Sequence, residues 1–99
     1  MTDERRAHER VAVNLQVRWN GNSGLREARI EDISLGGCFV NSTDRVVIGE
    51  FVTLEIKMPN REMLLLRGVV ASYQELFGFG LLFTFLTDEE EFALRQLIG

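Results

Sequence analysis

Two groups of residues in this 99-residue chain have the types and spacing to grip an anion that carries a planar base. The first is Arg6-Ala7-His8-Glu9-Arg10, with Arg5 in front of it. The second, some twenty residues on, is Asp32-Ile33-Ser34-Leu35-Gly36-Gly37. A guanidinium donates as a planar fork, so it can bridge two phosphate oxygens or hold guanine O6 and N7 in the plane of the base. The carboxylate of Asp32 only accepts, which suits the N1–H and N2–H donors of the guanine Watson–Crick edge, and Ser34 beside it can donate or accept. Gly36 and Gly37 allow a turn with positive φ and let backbone N–H groups approach a flat ligand. Two arginines making two charge-assisted hydrogen bonds each, at ~1.5–3 kcal/mol per bond, could supply most of the ~8 kcal/mol of a micromolar complex. Together these parts describe a guanine nucleotide site. Singly each is weak. Two arginines four apart also read as a solvated basic turn, and Asp-x-Ser-x-x-Gly alone is more often a structural corner between strands.

Composition narrows the chemistry further. Cys38 is the sole cysteine and His8 the sole histidine, so no intrachain disulfide can form. One thiol and one imidazole are also too few for a zinc site or for a Cys–His nucleophile. This argues against an enzyme and gives no catalytic or metal-binding residue. The net charge of −4 lacks the basic footprint of a general nucleic-acid binder. The cations are nevertheless lopsided, with ten arginines against the single Lys57. No apolar stretch approaches the length that crosses a bilayer, and the first residues lack the apolar centre of a signal peptide. The expectation is a cytoplasmic protein with no membrane insertion.

The elements that must position these groups follow from periodicity. Residues 1–10 are almost all polar and read as a flexible segment carrying the arginine motif. From Val11 the apolar residues Val11, Val13, Leu15, Val17 and Trp19 alternate with polar ones, the mark of a strand with one buried face. Asn20-Gly21-Asn22-Ser23-Gly24 is a turn. A second strand runs from Leu25 to Ile33, and a short third one covers Cys38-Phe39-Val40. The fourth alternates through Val52, Leu54, Ile56 and Met58 until Pro59. Met63 to Tyr73 and Gly78 to Phe85 are apolar on nearly every residue, as expected of strands covered on both faces. Thr87-Asp88-Glu89-Glu90 is a capping box, followed by an apolar helical face of Phe92, Ala93, Leu94, Leu97 and Ile98. Short strands punctuated by turns predict an antiparallel barrel or sandwich over residues 11–99.

Arg-x-x-x-Arg before a first strand, then Asp-x-Ser-x-x-Gly at the corner after a second, resembles the two-part signature of PilZ domains. Ile48-Gly49-Glu50, Arg67-Gly68-Val69-Val70 and Phe79-Gly80-Leu81-Leu82-Phe83 are similar to later parts of the same family. The resemblance implies an all-β fold, a six-stranded antiparallel β-barrel with a C-terminal α-helix. It also implies a bacterial second-messenger receptor for cyclic di-GMP that needs no cofactor. Arg6 and Arg10 match the arginines that clamp the phosphates, and Asp32, Ser34 and Gly37 match the residues that cradle a guanine. Gly36 lies within that corner. Arg5 matches a position whose basic residue goes with an intercalated dimer of the ligand in place of a single molecule. Ligand would order the arginine segment over the barrel and alter the surface offered to an unidentified downstream protein.

Two other classes fit less of the sequence. A protein-interaction module of the same family that does not bind nucleotide would typically lack the arginines or the Asp-Ser pair. A nucleic-acid-binding barrel of the OB type would carry a basic face with exposed aromatics.

Overall fold

The computed structural model describes residues 9–99. The expectations of a flexible leader and of ligand contacts from Arg5 and Arg6 fall on residues 1–8 and lie outside the described residues.

Six strands close into a barrel in the order β1-β2-β3-β6-β5-β4, every neighbouring pair antiparallel. They are β1 (Val11–Gly21), β2 (Gly24–Ile33), β3 (Gly37–Asn41), β4 (Phe51–Lys57), β5 (Met63–Gln74) and β6 (Gly78–Phe83), followed by α1 (Asp88–Ile98). Pairing of β1 with β4 closes the ring and removes the open edges that an exposed sheet would have to protect. The alternation in β1 and β4 sorts their side chains as the sequence predicts. Val17, Trp19, Val52, Leu54 and Ile56 point into the core, while Arg18 and Glu55 meet on the outer surface. Trp19 and Phe79 meet edge to face in the interior with ring centroids 5.1 Å apart, a favoured aromatic geometry.

The apolar runs of β5 and β6 do not have two covered faces. Leu64, Leu66 and Val70 are buried, but Met63 is 52% and Leu65 48% exposed, and Leu82 on β6 is 53% exposed. A small closed barrel has one interior, and the short α1 covers too little of the outside to hide the other face. β6 also stops at Phe83 rather than Phe85, although Thr84 still donates its N–H to the carbonyl of Arg67.

The capping box forms as expected. Thr87 Oγ1 accepts from Glu90 N, and Glu90 Oε1 accepts from Thr87 N, which satisfies two helix-end donors reciprocally. Leu94 is fully buried within the barrel's core cluster, and Ala93, Leu97 and Ile98 packed against that cluster hold α1 on the barrel, whereas Phe92, expected on the same face, is 67% exposed. At the other end of the strands, the buried carboxylate of Glu50 accepts from Val47 N at 3.0 Å and Asn22 N at 2.8 Å. It ties the β3–β4 loop to the β1–β2 turn. Among the described residues no helix is long and apolar enough to cross a membrane.

Candidate functional site

The position of Arg10 follows from strand register. Ala12 pairs with Asp32 across β1 and β2. Arg10 precedes Ala12 by two residues, and side chains two apart on extended backbone share a face. Arg10 Nη1 donates to Asp32 Oδ1 at 2.5 Å, joining the two sequence motifs directly. Both side chains remain open to solvent, 53% exposed for Arg10 and 40% for Asp32. The contact is a single charge-assisted bond at the surface, a kind worth ~0–1 kcal/mol. It leaves the remaining guanidinium donors of Arg10 and the second carboxylate oxygen of Asp32 without a side-chain partner among the described residues.

The corner that follows is organised around Ser34, which is 3% exposed. Its Oγ accepts from Gly36 N at 3.0 Å and Gly37 N at 3.2 Å and lies 3.3 Å from the Gly37 carbonyl, to which it donates. The Ser34 amide donates to the same carbonyl at 2.8 Å. The hydroxyl and the two glycine amides thus satisfy one another within the turn that follows Asp32. The expected reason for the glycines is also different. Positive φ occurs among glycines at Gly24, Gly49, Gly78 and Gly99, not at Gly36 or Gly37. Gly37 is required for close approach instead, because a Cβ there would collide with the Leu81 carbonyl of β6. Gly36 contributes its carbonyl, which accepts from Phe83 N at 2.9 Å.

Sequence reasoning missed a bulge beside this corner. Between the pairs Ile33↔Cys38 and Ile30↔Val40, the two residues Glu31 and Asp32 oppose the single residue Phe39. A bulge twists a strand and re-aims a side chain, and adjacent polar residues such as Glu31 and Asp32 give no signal of it. Beneath the corner, the thiol of Cys38 is pushed up to about 12, first by burial and then by the nearby Asp32 charge, with Arg10 opposing. Buried and uncharged, Cys38 behaves as a small core hydrophobe. A separate hollow of about 140 Å³ lies on the outer surface near Arg18, Glu55, Lys57 and Met63 and contains none of the candidate residues.

A small six-stranded closed antiparallel barrel with a C-terminal helix, carrying an arginine and an acidic Ser-Gly corner at one lip, defines a narrow class of domain. Residues 4–99 match the family model of the PilZ domain, and the chain belongs to that family. Among solved structures, the PilZ domain of CeSA from a cellulose-synthesizing bacterium is similar in fold, with a TM-score of 0.72 and 19% identity over 91% of this chain and 94% of that one. The inhibitor of motility from Bacillus subtilis (MotI/DgrA) is similar with a TM-score of 0.76 and 21% identity over 95% of this chain. The match covers 49% of the Bacillus protein, so the present chain spans about half its length. No curated protein matches the chain.

Proposed function

We propose that this PilZ domain is a receptor for cyclic di-GMP. Arg10 would bind phosphate or the guanine O6 and N7 edge, and Asp32 would accept from guanine N1–H and N2–H. The observation that carries this reading is the Arg10–Asp32 contact, which brings a phosphate-binding group and a guanine-binding group to one exposed point. The pair is a weak internal substitute for ligand. Its cation can turn to an anion and its carboxylate to base donors, and each recovers the hydrogen bond it gave up. Ser34, Gly36 and Gly37 support the reading by forming the turn that follows Asp32. Arg5 and Arg6 would add cationic contacts as the segment before Arg10 closes over the ligand, changing the surface presented to a protein partner.

A second reading is a protein-interaction module without nucleotide. An outward row of Phe51, Val69 and Leu82 across β4, β5 and β6 favours it, with Phe51 55% exposed. Calorimetric titration with cyclic di-GMP separates the two. The receptor reading expects saturable heat and a stoichiometry of one, or of two where Arg5 supports an intercalated pair. Absence of heat together with unchanged amide chemical shifts would leave the interaction module standing alone.

A further inference from the structure

Phe39 is an aromatic residue that the core does not use. Its neighbours Cys38 and Val40 are fully buried, so Phe39 projects from the outer face of β3. It is half-buried, yet it is not among the partly buried apolar residues that pack against the core cluster. Its cover comes from across the sheet. Gly80 of β6 pairs with it directly and Gly78 lies on the diagonal. A Cβ placed on Gly78 would stand 2.9 Å from Phe39 Cε2, so the ring reaches over that glycine. Phe79 and Leu81 point inward, which leaves Gly78 and Gly80 at consecutive outward positions of β6. The glycines let neighbours close in on β6: the Phe39 ring and the Val40 carbonyl take the space over Gly78, and the Ser72 hydroxyl takes that over Gly80.

On its other side, Phe39 faces the bulge of β2. Ile33 points inward and Asp32 outward, and Asp32 shares with Glu31 the position opposite Phe39. Directly opposed residues on one face of an antiparallel pair have Cβ atoms on the order of 5 Å apart. A purine held by its Watson–Crick edge on the Asp32 carboxylate is long enough to cover that distance and lay its ring system over Phe39.

We propose that Phe39 is the stacking platform for the guanine held by Asp32, with Gly78 letting the ring lie close against β6. This rests on the cyclic di-GMP reading given above. The two residues divide the recognition. Every base has a π-face, so Phe39 supplies affinity without selectivity, while Asp32 selects guanine by its donors.

The test compares the unaltered protein with Phe39→Leu, which keeps an apolar cover on Gly78, and Phe39→Tyr, which keeps the ring. Cyclic di-GMP affinity is measured by calorimetry, folding by thermal melting, and proximity by nuclear Overhauser contacts between the Phe39 ring protons and guanine H8. Stacking on an aromatic ring predicts that Phe39→Leu weakens binding by about tenfold or more at unchanged cooperativity of unfolding. Phe39→Tyr should bind within about threefold of the unaltered protein, since the π-face is retained. The unaltered complex should show the ring-to-H8 contact. Equal affinity of a folded Phe39→Leu variant overturns the platform and leaves the receptor standing. Should Phe39→Leu not fold, the missing ring-to-H8 contact in the unaltered complex overturns the platform and its presence supports it. No binding of cyclic di-GMP by the unaltered protein overturns the receptor reading and the platform with it.

Discussion

Arg10–Asp32 and Arg67–Glu90 are both arginine–carboxylate pairs that join distant parts of the chain, and they differ in how firmly they are held. In the second, Arg67 Nη1 and Nη2 reach both oxygens of Glu90 at 3.1 and 2.7 Å, and Nη2 also donates to the Phe85 carbonyl at 3.1 Å. The guanidinium carbon lies 5.9 Å from the centre of the Phe85 ring. Glu90 accepts in addition from Thr87 N, so one carboxylate completes the capping box and anchors α1 to β5. The Arg10–Asp32 contact has one bond, wide solvent access and no second constraint on either partner among the described residues. Opposite charges alone do not make a structural clamp. The number of independent bonds and the degree of desolvation decide whether a pair is fixed or free to exchange.

The strongest way to break this contrast is to remove Arg10. Arg10→Ala should weaken cyclic di-GMP binding by ~2–5 kcal/mol, since a desolvated phosphate loses its charged partner. Its unfolding free energy should shift by less than ~1 kcal/mol, as for other exposed pairs. Calorimetry and denaturant melts on one preparation read both quantities. A large stability loss with intact affinity would invert the assignment.

The helix side should behave in the opposite way. Thr87→Ala removes the N-cap and should cost ~1 kcal/mol of stability in a urea melt, with cyclic di-GMP affinity unchanged. Arg67→Ala should likewise lower the melting temperature without affecting the titration.

A smaller effect sharpens the comparison through pH. The Arg67 hydrogen bonds hold the Glu90 carboxyl below the usual carboxylate range, with burial opposing and Thr87 assisting. A carboxylate whose folded pKa is depressed contributes stability that is complete above its unfolded pKa and is lost as pH falls through the lower folded value. Thermal melts from neutral pH into that acid range should fall less steeply for Glu90→Gln than for the unaltered protein. Parallel curves would show that Glu90 is not a source of the acid sensitivity.

The residues that were legible in the sequence are those whose role is local. Alternation from Val11 to Trp19 and from Val52 to Ile56 marks strands because a buried face repeats every second residue. Thr87 and Glu90 mark a helix start because the reciprocal cap is closed within four residues. The adjacency of Arg10 and Asp32 needed only the correct register of β1 on β2. What escaped was set by tertiary closeness. Gly37 is glycine because β6 passes against it, and no local pattern reports Leu81. The run Met63–Leu66 looks fully buried because chain composition does not reveal how little outer surface α1 covers. Nothing local in Ile48-Gly49-Glu50 reveals that the Glu50 carboxylate is buried on backbone donors from two separate loops. The bulge at Glu31 and Asp32 was hidden for the same reason, since it exists only relative to β3.

The most direct measurement of the central claim is a map of backbone amide shifts during titration with cyclic di-GMP. The exchangeable pair predicts saturable shifts concentrated at Arg10–Ala12 and across Asp32–Phe39, with the amides around Arg67 and Glu90 nearly still. Shifts clustered instead around Arg18, Glu55 and Lys57 would contradict it by placing the ligand on another face of the barrel.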